Sequence, residues 1–321
     1  MTAALLRRLL QAAAVTLALS VVVFLIFFAT PGADPAARLA GRGASPETLA
    51  AVRHSFALDR PLVVQYGLMM RHLFVARDLA SFVNRGQLVI PTLLAAAPVT
   101  LALVGGAAVL WVAGALAIAL PSAARPGGVA DRVLGGLGLL ALSVPVFWLG
   151  EVTMLVAQGP LHRTLFAWVP PAGLPPHGLL AWVATLALPC VTLAASYAGL
   201  YGRVLRASLV EAWGADHVRT ARAKGIPERQ VVLRHVLRCS LATAVALFGL
   251  DFGALVGGGT VLTELVFDLH GVGRLTYDAM TQFDLPMILA TVIYASVFVV
   301  AASAAVDIAY LALDPRLREP G

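Results

Sequence analysis

Six apolar stretches dominate this chain, at residues 9–29, 92–120, 133–156, 179–200, 241–262 and 287–313. Each is near the ~20 residues that a helix needs to cross a bilayer. Backbone N–H and C=O groups must be satisfied internally in hydrocarbon, so such stretches cross as helices. Composition excludes an ordinary water-facing surface, because 60% of the 321 residues are hydrophobic and 12% are charged. A soluble domain carries about 25% charged residues. The expectation is an all-α integral membrane protein with six transmembrane helices.

The first stretch follows Arg7 and Arg8 and ends in Thr30-Pro31-Gly32 without an Ala-x-Ala cleavage pattern. A signal peptide has a shorter apolar core and such a pattern, so residues 1–30 read as a cytoplasmic N-terminus and a retained first helix. Residues 31–91 are polar and hold seven arginines up to Val89. Ser45, Pro46 and Glu47 mark a helix start there, and residues 62–74 read as a second amphipathic helix. A connection this long is expected to fold into a small helical extracytoplasmic insertion, although a lid without specific contacts has the same composition. The remaining five stretches form a core over residues 92–321. Pro98, Pro145 and Pro189 lie inside three of them and are expected to kink their helices.

Basic residues orient the chain. With six spans, one side carries 14 of the 23, among them Arg125, Arg132, Arg203, Arg206, Arg316 and Arg318, and the other nine in more sequence. The dense side is expected to be cytoplasmic, with both termini inside. Several functions are excluded. A phosphate loop needs Gly-Lys-Ser/Thr, whereas the single lysine, Lys224, stands in Ala-Lys-Gly. Cys190 and Cys239 form no CxxC pair, the histidines show no HxxH or HExxH spacing, and no Gly-x-Ser-x-Gly elbow occurs. No metal or other cofactor is expected on the chain, and no nucleic-acid partner.

Between the fourth and fifth stretches, residues 203–238 carry the densest basic charge. A helical pattern runs to about Lys224, Gly225 supplies a C-terminal cap, and Pro227 with Glu228 opens another helix. This predicts a compact knob on the membrane surface. A basic loop resting on anionic lipid would share its charge.

The strings HVRTARAKG and RHVLRCSL resemble the cytoplasmic "EAA" loop of ABC-importer membrane subunits. Placing the motif's glycine on Gly225 sets Arg219-Thr220-Ala221 where Glu-Ala-Ala would stand. More narrowly the chain resembles the first membrane subunit of the dipeptide/oligopeptide/nickel permease family. The likeness extends to LSVPVFWLG (142–150), GGGTVLTELVFDLHGVGRLTYDAM (257–280), FDLP (283–286) and VDIAYLALDPRLR (306–318). Departures at Ala33, Ala57, ARDLA and Leu269-His270 fall on the external side and leave the substrate type open.

The resemblance implies a type I ABC-importer permease fold in the cell inner membrane. It also implies a non-catalytic role in ATP-driven import of short peptides or related solutes. Its partners would be a second homologous permease, two ATPase domains binding ATP and Mg, an extracytoplasmic substrate-binding protein and the lipid bilayer. Arg219, Thr220, Ala221, Arg222, Ala223, Lys224, Gly225, Ile226 and Pro227 would form the ATPase-coupling loop. Arg219, Arg222 and Lys224 would offer charge-assisted hydrogen bonds.

Inside the apolar stretches, Gly249, Gly253 and Gly257 recur every fourth residue, on one helix face suited to close packing or to a narrow pore wall. Glu151, Asp251 and Asp307 are acidic residues within apolar sequence, and such groups face protein or water. Asp251, with the three glycines, is the candidate for the translocation path. A secondary transporter would show an internal inverted repeat, which is not visible here; a structural anchor would lack a polar cavity.

Overall fold

The computed structural model describes residues 2–29, 36–37, 45–55, 57–84, 86–159, 162–170, 172–173 and 178–313. Arg316 and Arg318, and the Pro31 to Asp34 segment, lie outside the described residues.

The described residues fold into helices joined by turns, with an isolated bridge between Ala80 and Leu88. α1 (Thr2–Ala29) covers the first apolar stretch. α2 (Pro46–Ser55) and α3 (Leu62–Arg71) form the expected pair after it. Ser45 Oγ accepts the Thr48 N–H at 3.2 Å and so caps α2 as its sequence predicts. Tyr66 on α3 anchors the pair to α1. Its hydroxyl meets Ser20 Oγ at 2.7 Å and its ring packs edge-on to Phe24 at 5.4 Å. Asp284 secures the next turn, accepting from Ser81 Oγ and from the Phe82 N–H at 3.0 Å.

α4 (Val89–Ala124) and α7 (Leu179–Trp213) are the long central helices, packed along each other. Pro98 and Pro189 sit inside them without breaking either. The stretch at 133–156 behaves differently. α5 (Val129–Ser143) and α6 (Val146–Gln158) meet at 98°. Pro145 supplies no N–H, and the residue before a proline is driven out of the helical region. Val144 accordingly adopts φ −92° and ψ 124°. A kink at Pro145 was expected there, and the bend observed is sharp enough to divide the stretch into two helices.

The loop after α7 carries α8 (Asp216–Ala223) and the single turn α9 (Glu228–Gln230). A π turn, Val231–Val236, leads into α10 (Leu237–Ala254). The stretch at 241–262 does not continue as one helix either. It passes through a π turn and breaks at Gly258, whose φ of +131° is open to glycine. α11 (Val261–Val266) and α12 (Val272–Gln282) follow, and α13 (Leu285–Leu313) closes the chain.

Among the described residues, three helices could cross a membrane by length and composition, over Val89–Ala124, Leu179–Trp213 and Leu285–Val306. The number is five if each bent pair counts as one span. The main core lies between α4 and α7, around the fully buried Leu103, Val104, Ala107 and Trp111.

Close packing of α10 on α13 depends on missing side chains. A Cβ on Gly249 would overlap Val306, and one on Gly253 would stand 2.6 Å from Ala302 Cβ. Helices with small residues at such crossings approach until their backbones touch. We expect Gly249→Leu to separate the two helices and to lower the melting temperature in detergent by roughly 5–10 °C, from about 2–3 kcal/mol of overpacking. A shift below about 1 °C would show that the crossing tolerates bulk.

Candidate coupling and translocation sites

The basic loop folds into a compact knob. α8 presents Val218 and Ala221 inward, onto Leu205, Leu209, Val231 and Val236, and these two are essentially without solvent contact. Arg219, Thr220, Arg222, Ala223 and Lys224 face outward.

The helix ends on Gly225 at φ +73°. The Gly225 N–H donates to Arg222 O at 2.9 Å and the Ile226 N–H to Ala221 O at 3.3 Å. Those two bonds form a Schellman motif with glycine at its left-handed position, and Ile226 packs on the same apolar cluster as Ala221. Pro227, at φ −55° and ψ 138°, is the N-cap of α9. Glu228 accepts from Arg222 Nη2 at 2.7 Å and Nε at 3.4 Å, and this pairing raises the Arg222 pKa further. The Arg222 guanidinium also lies 4.6 Å from the Trp213 ring centre.

All nine expected coupling residues therefore occupy one turn-and-helix unit, but in different roles. Ala221 is packing, Arg222 braces the turn, and Arg219 sits 3.8 Å from Asp216. Lys224 makes no ion pair among the described residues and stands exposed beside the turn.

The candidate path residues lie on opposite sides of α10 and of the π turn that continues it. The three glycines meet α13, Gly257 approaching Ala295, so that face is occupied by protein. Asp251 points the other way and accepts the Tyr201 hydroxyl at 2.6 Å. Around the pair, Trp111 stacks on Tyr197 at 4.9 Å and contacts Tyr201 and Phe248 at 5.7 and 5.1 Å. Glu151 is exposed on α6, and the Asp307 side chain lies outside the description. Among the described residues, no group of His, Cys, Asp or Glu could hold a metal ion.

Two polar sites went unflagged in the sequence. Glu264 on α11 is fully buried. Its Oε1 accepts from Thr100 Oγ1 and Thr260 Oγ1, both at 2.7 Å, and its Oε2 accepts the Arg274 N–H at 2.9 Å. The Gly273 N–H adds to these, while Thr100 Oγ1 takes the Val272 N–H at 2.8 Å. Glu264 thus caps the first turn of α12 from a different helix and ties it to α4. Gly271 leaves the room for this, since a Cβ there would stand 2.5 Å from both Glu264 Oε2 and Thr100 Oγ1.

Asp131 is the second site. It takes a two-pronged pairing from Arg206, at 2.5 and 2.6 Å, that joins α5 to α7. A lone acid in apolar sequence, as at Glu264, was the available signal; its donors were not.

Bilayer-length helices, a braced knob between two of them and a polar pair within define a helical membrane protein. The binding-protein-dependent transport system inner membrane component pattern matches residues 114–319, and its N-terminal counterpart matches residues 1–104. A protein of Brucella abortus (strain 2308), named as a peptide transport system permease, is 36% identical over 328 aligned positions that cover 99% of both chains. The glutathione transport system permease protein GsiC of Salmonella choleraesuis (strain SC-B67) is 34% identical, with 98% of both covered. Among solved structures, the MetNI methionine ABC transporter superposes with a TM-score of 0.52 at 18% identity, over 70% of this chain and 97% of that one, a likeness of fold.

The chain belongs to the family of binding-protein-dependent transport system inner membrane components, and it is a non-catalytic, multi-pass permease subunit of an ABC importer. In this family ATP is bound and hydrolysed on separate ATPase subunits.

Proposed function

We propose that this chain is one of two homologous permeases in an importer of short peptides or related small solutes, fed by an extracytoplasmic substrate-binding protein. The relatives named for peptide and glutathione transport, matched along nearly their whole length, support that substrate range. The observation that carries the mechanism is the braced turn at Gly225. A permease without a nucleotide site needs a stiff element to receive motion from an ATPase. A Schellman turn with an Arg222–Glu228 brace is such an element. The outer face of α8, from Arg219 to the exposed Lys224, would seat in an ATPase groove with Ile226 and Pro227 as its rim. ATP and Mg would be bound on two such ATPase domains. Closure of the pair would swing α7 and α10 as rigid bodies and alternate access to the site.

In this reading the chain has six spans with both termini in the cytoplasm, and α1 and the bent pairs complete the count. Residues 31–91 form the extracytoplasmic insertion and 92–321 the permease core. The 14 to nine division of basic residues supports the orientation.

A labelling experiment tests it. Cysteine placed at Ala223 should react only with reagents admitted to the cytoplasm, whereas cysteine at Ser45 or Gln282 should label in intact cells. Rapid external labelling at 223 would defeat the orientation and the coupling role together, since no ATPase docks where there is no ATP.

A further inference from the structure

The α10 face turned away from the glycines carries Phe248, Asp251 and Phe252. Asp251 is an acid in an apolar helix, and its one hydrogen bond comes from the neutral Tyr201 hydroxyl. Among the described residues no arginine, lysine or histidine forms an ion pair with it. An ionised carboxylate in such a place is held at a cost that a cation would offset. The described residues supply none.

The surroundings suit an organic cation. Trp111 is fully buried beneath Tyr197, Tyr201 and Phe248, with its indole N–H unpartnered. Asp251, Tyr197, Phe248 and Phe252 remain partly open. Aromatic faces attract ammonium groups through their quadrupoles. A half-open groove of about 90 Å³ runs beside Tyr201, with Phe248, Val112, Ala115 and Ala244 among its walls. Its lining is apolar and does not include Asp251, which stands behind Tyr201 as that residue's hydrogen-bond partner.

We infer that Asp251, oriented by Tyr201 and flanked by Tyr197 and Phe248, is a transit site for a protonated primary amine carried by the solute. This rests on the peptide-class reading above and adds to it the end of the solute that the permease itself holds. One carboxylate oxygen is committed to Tyr201. The ammonium would take the other, and its aliphatic neighbours would lie on the rings. A site with a single ion contact can release its ligand, which a translocation path requires.

The test uses the complete importer in nanodiscs without its binding protein, so that no other amine site contributes. The probes are tri-alanine and N-acetyl-tri-alanine, followed by saturation-transfer NMR. Tri-alanine should give a signal at least about fivefold above the acetylated form, and Asp251→Asn should remove the difference, consistent with loss of one ion contact. With the binding protein restored in proteoliposomes, Asp251→Asn should cut tri-alanine uptake by about tenfold at matched complex level.

Equal signals from both probes on the wild type, or an undiminished preference in Asp251→Asn, would overturn the site. Selective loss of the second permease from purified Asp251→Asn complex would also overturn it, because the missing cation would then belong to that subunit. Should the asparagine variant fail to insert, Tyr201→Phe serves instead, and it should reduce the amine preference. Wild-type uptake of tri-alanine without amine preference would sink this site and leave the importer reading intact. Absence of any peptide uptake would sink the importer's substrate range itself.

Discussion

Gly225→Pro is expected to reduce substrate uptake by at least tenfold while the chain still inserts at normal level. Proline cannot reach φ +73° and has no N–H to give Arg222 O. It therefore destroys both the left-handed position and a capping bond, at about 3 kcal/mol or more. The damage is confined to an exposed turn, so the apolar core beneath Val218 and Ala221 remains available for assembly. Asparagine tolerates the left-handed region better than other side chains, so Gly225→Asn should keep most of the activity. Uptake is to be measured beside co-purification of the ATPase. A proline variant that transports normally at matched membrane level would remove the coupling role from this turn.

Glu264→Ala should be strongly destabilising. The carboxylate is fully buried and serves hydroxyls from two helices and backbone N–H groups at the start of α12. Removing it leaves those donors buried without an acceptor and opens a cavity, together about 3–5 kcal/mol. A fall of roughly 10 °C in melting temperature in detergent is expected. Glu264→Gln keeps the volume and one acceptor, but its amide group would point donors at the Gly273 and Arg274 N–H groups. An intermediate loss should follow. If the alanine variant melts within about 1–2 °C of the wild type, the network does not hold α12 to α4.

Much of the architecture is readable along the chain because its causes are local. The Ser45 cap, the Gly225 turn and the glycine face of α10 each follow from the φ/ψ freedom or side-chain reach of a few consecutive residues. Those features sit where expected. The stretches at 133–156 and 241–262 also contained their own interruptions, Pro145 and Gly258. Whether a proline bends a helix is decided by neighbours, however. Pro98 and Pro189 lie in unbroken helices, while Pro145 stands at a 98° corner.

Sequence by itself determined that the chain is helical, that it belongs in a membrane and that a stiff basic turn interrupts it. Desolvation of backbone groups and the conformational range of single residues act wherever those residues stand. Tertiary structure decided the polar contacts that give the bundle its working parts. Glu264 meets Thr100 across 164 positions, Arg206 meets Asp131 across 75, and Tyr201 meets Asp251 across 50. The same holds for the two faces of α10. Helical periodicity separates Asp251 from Gly249 and Gly253, but only the packing assigns α13 to one side and Tyr201 to the other. A buried acid signals that it needs partners, and which helices come to lie beside it is settled by how whole apolar faces fit together.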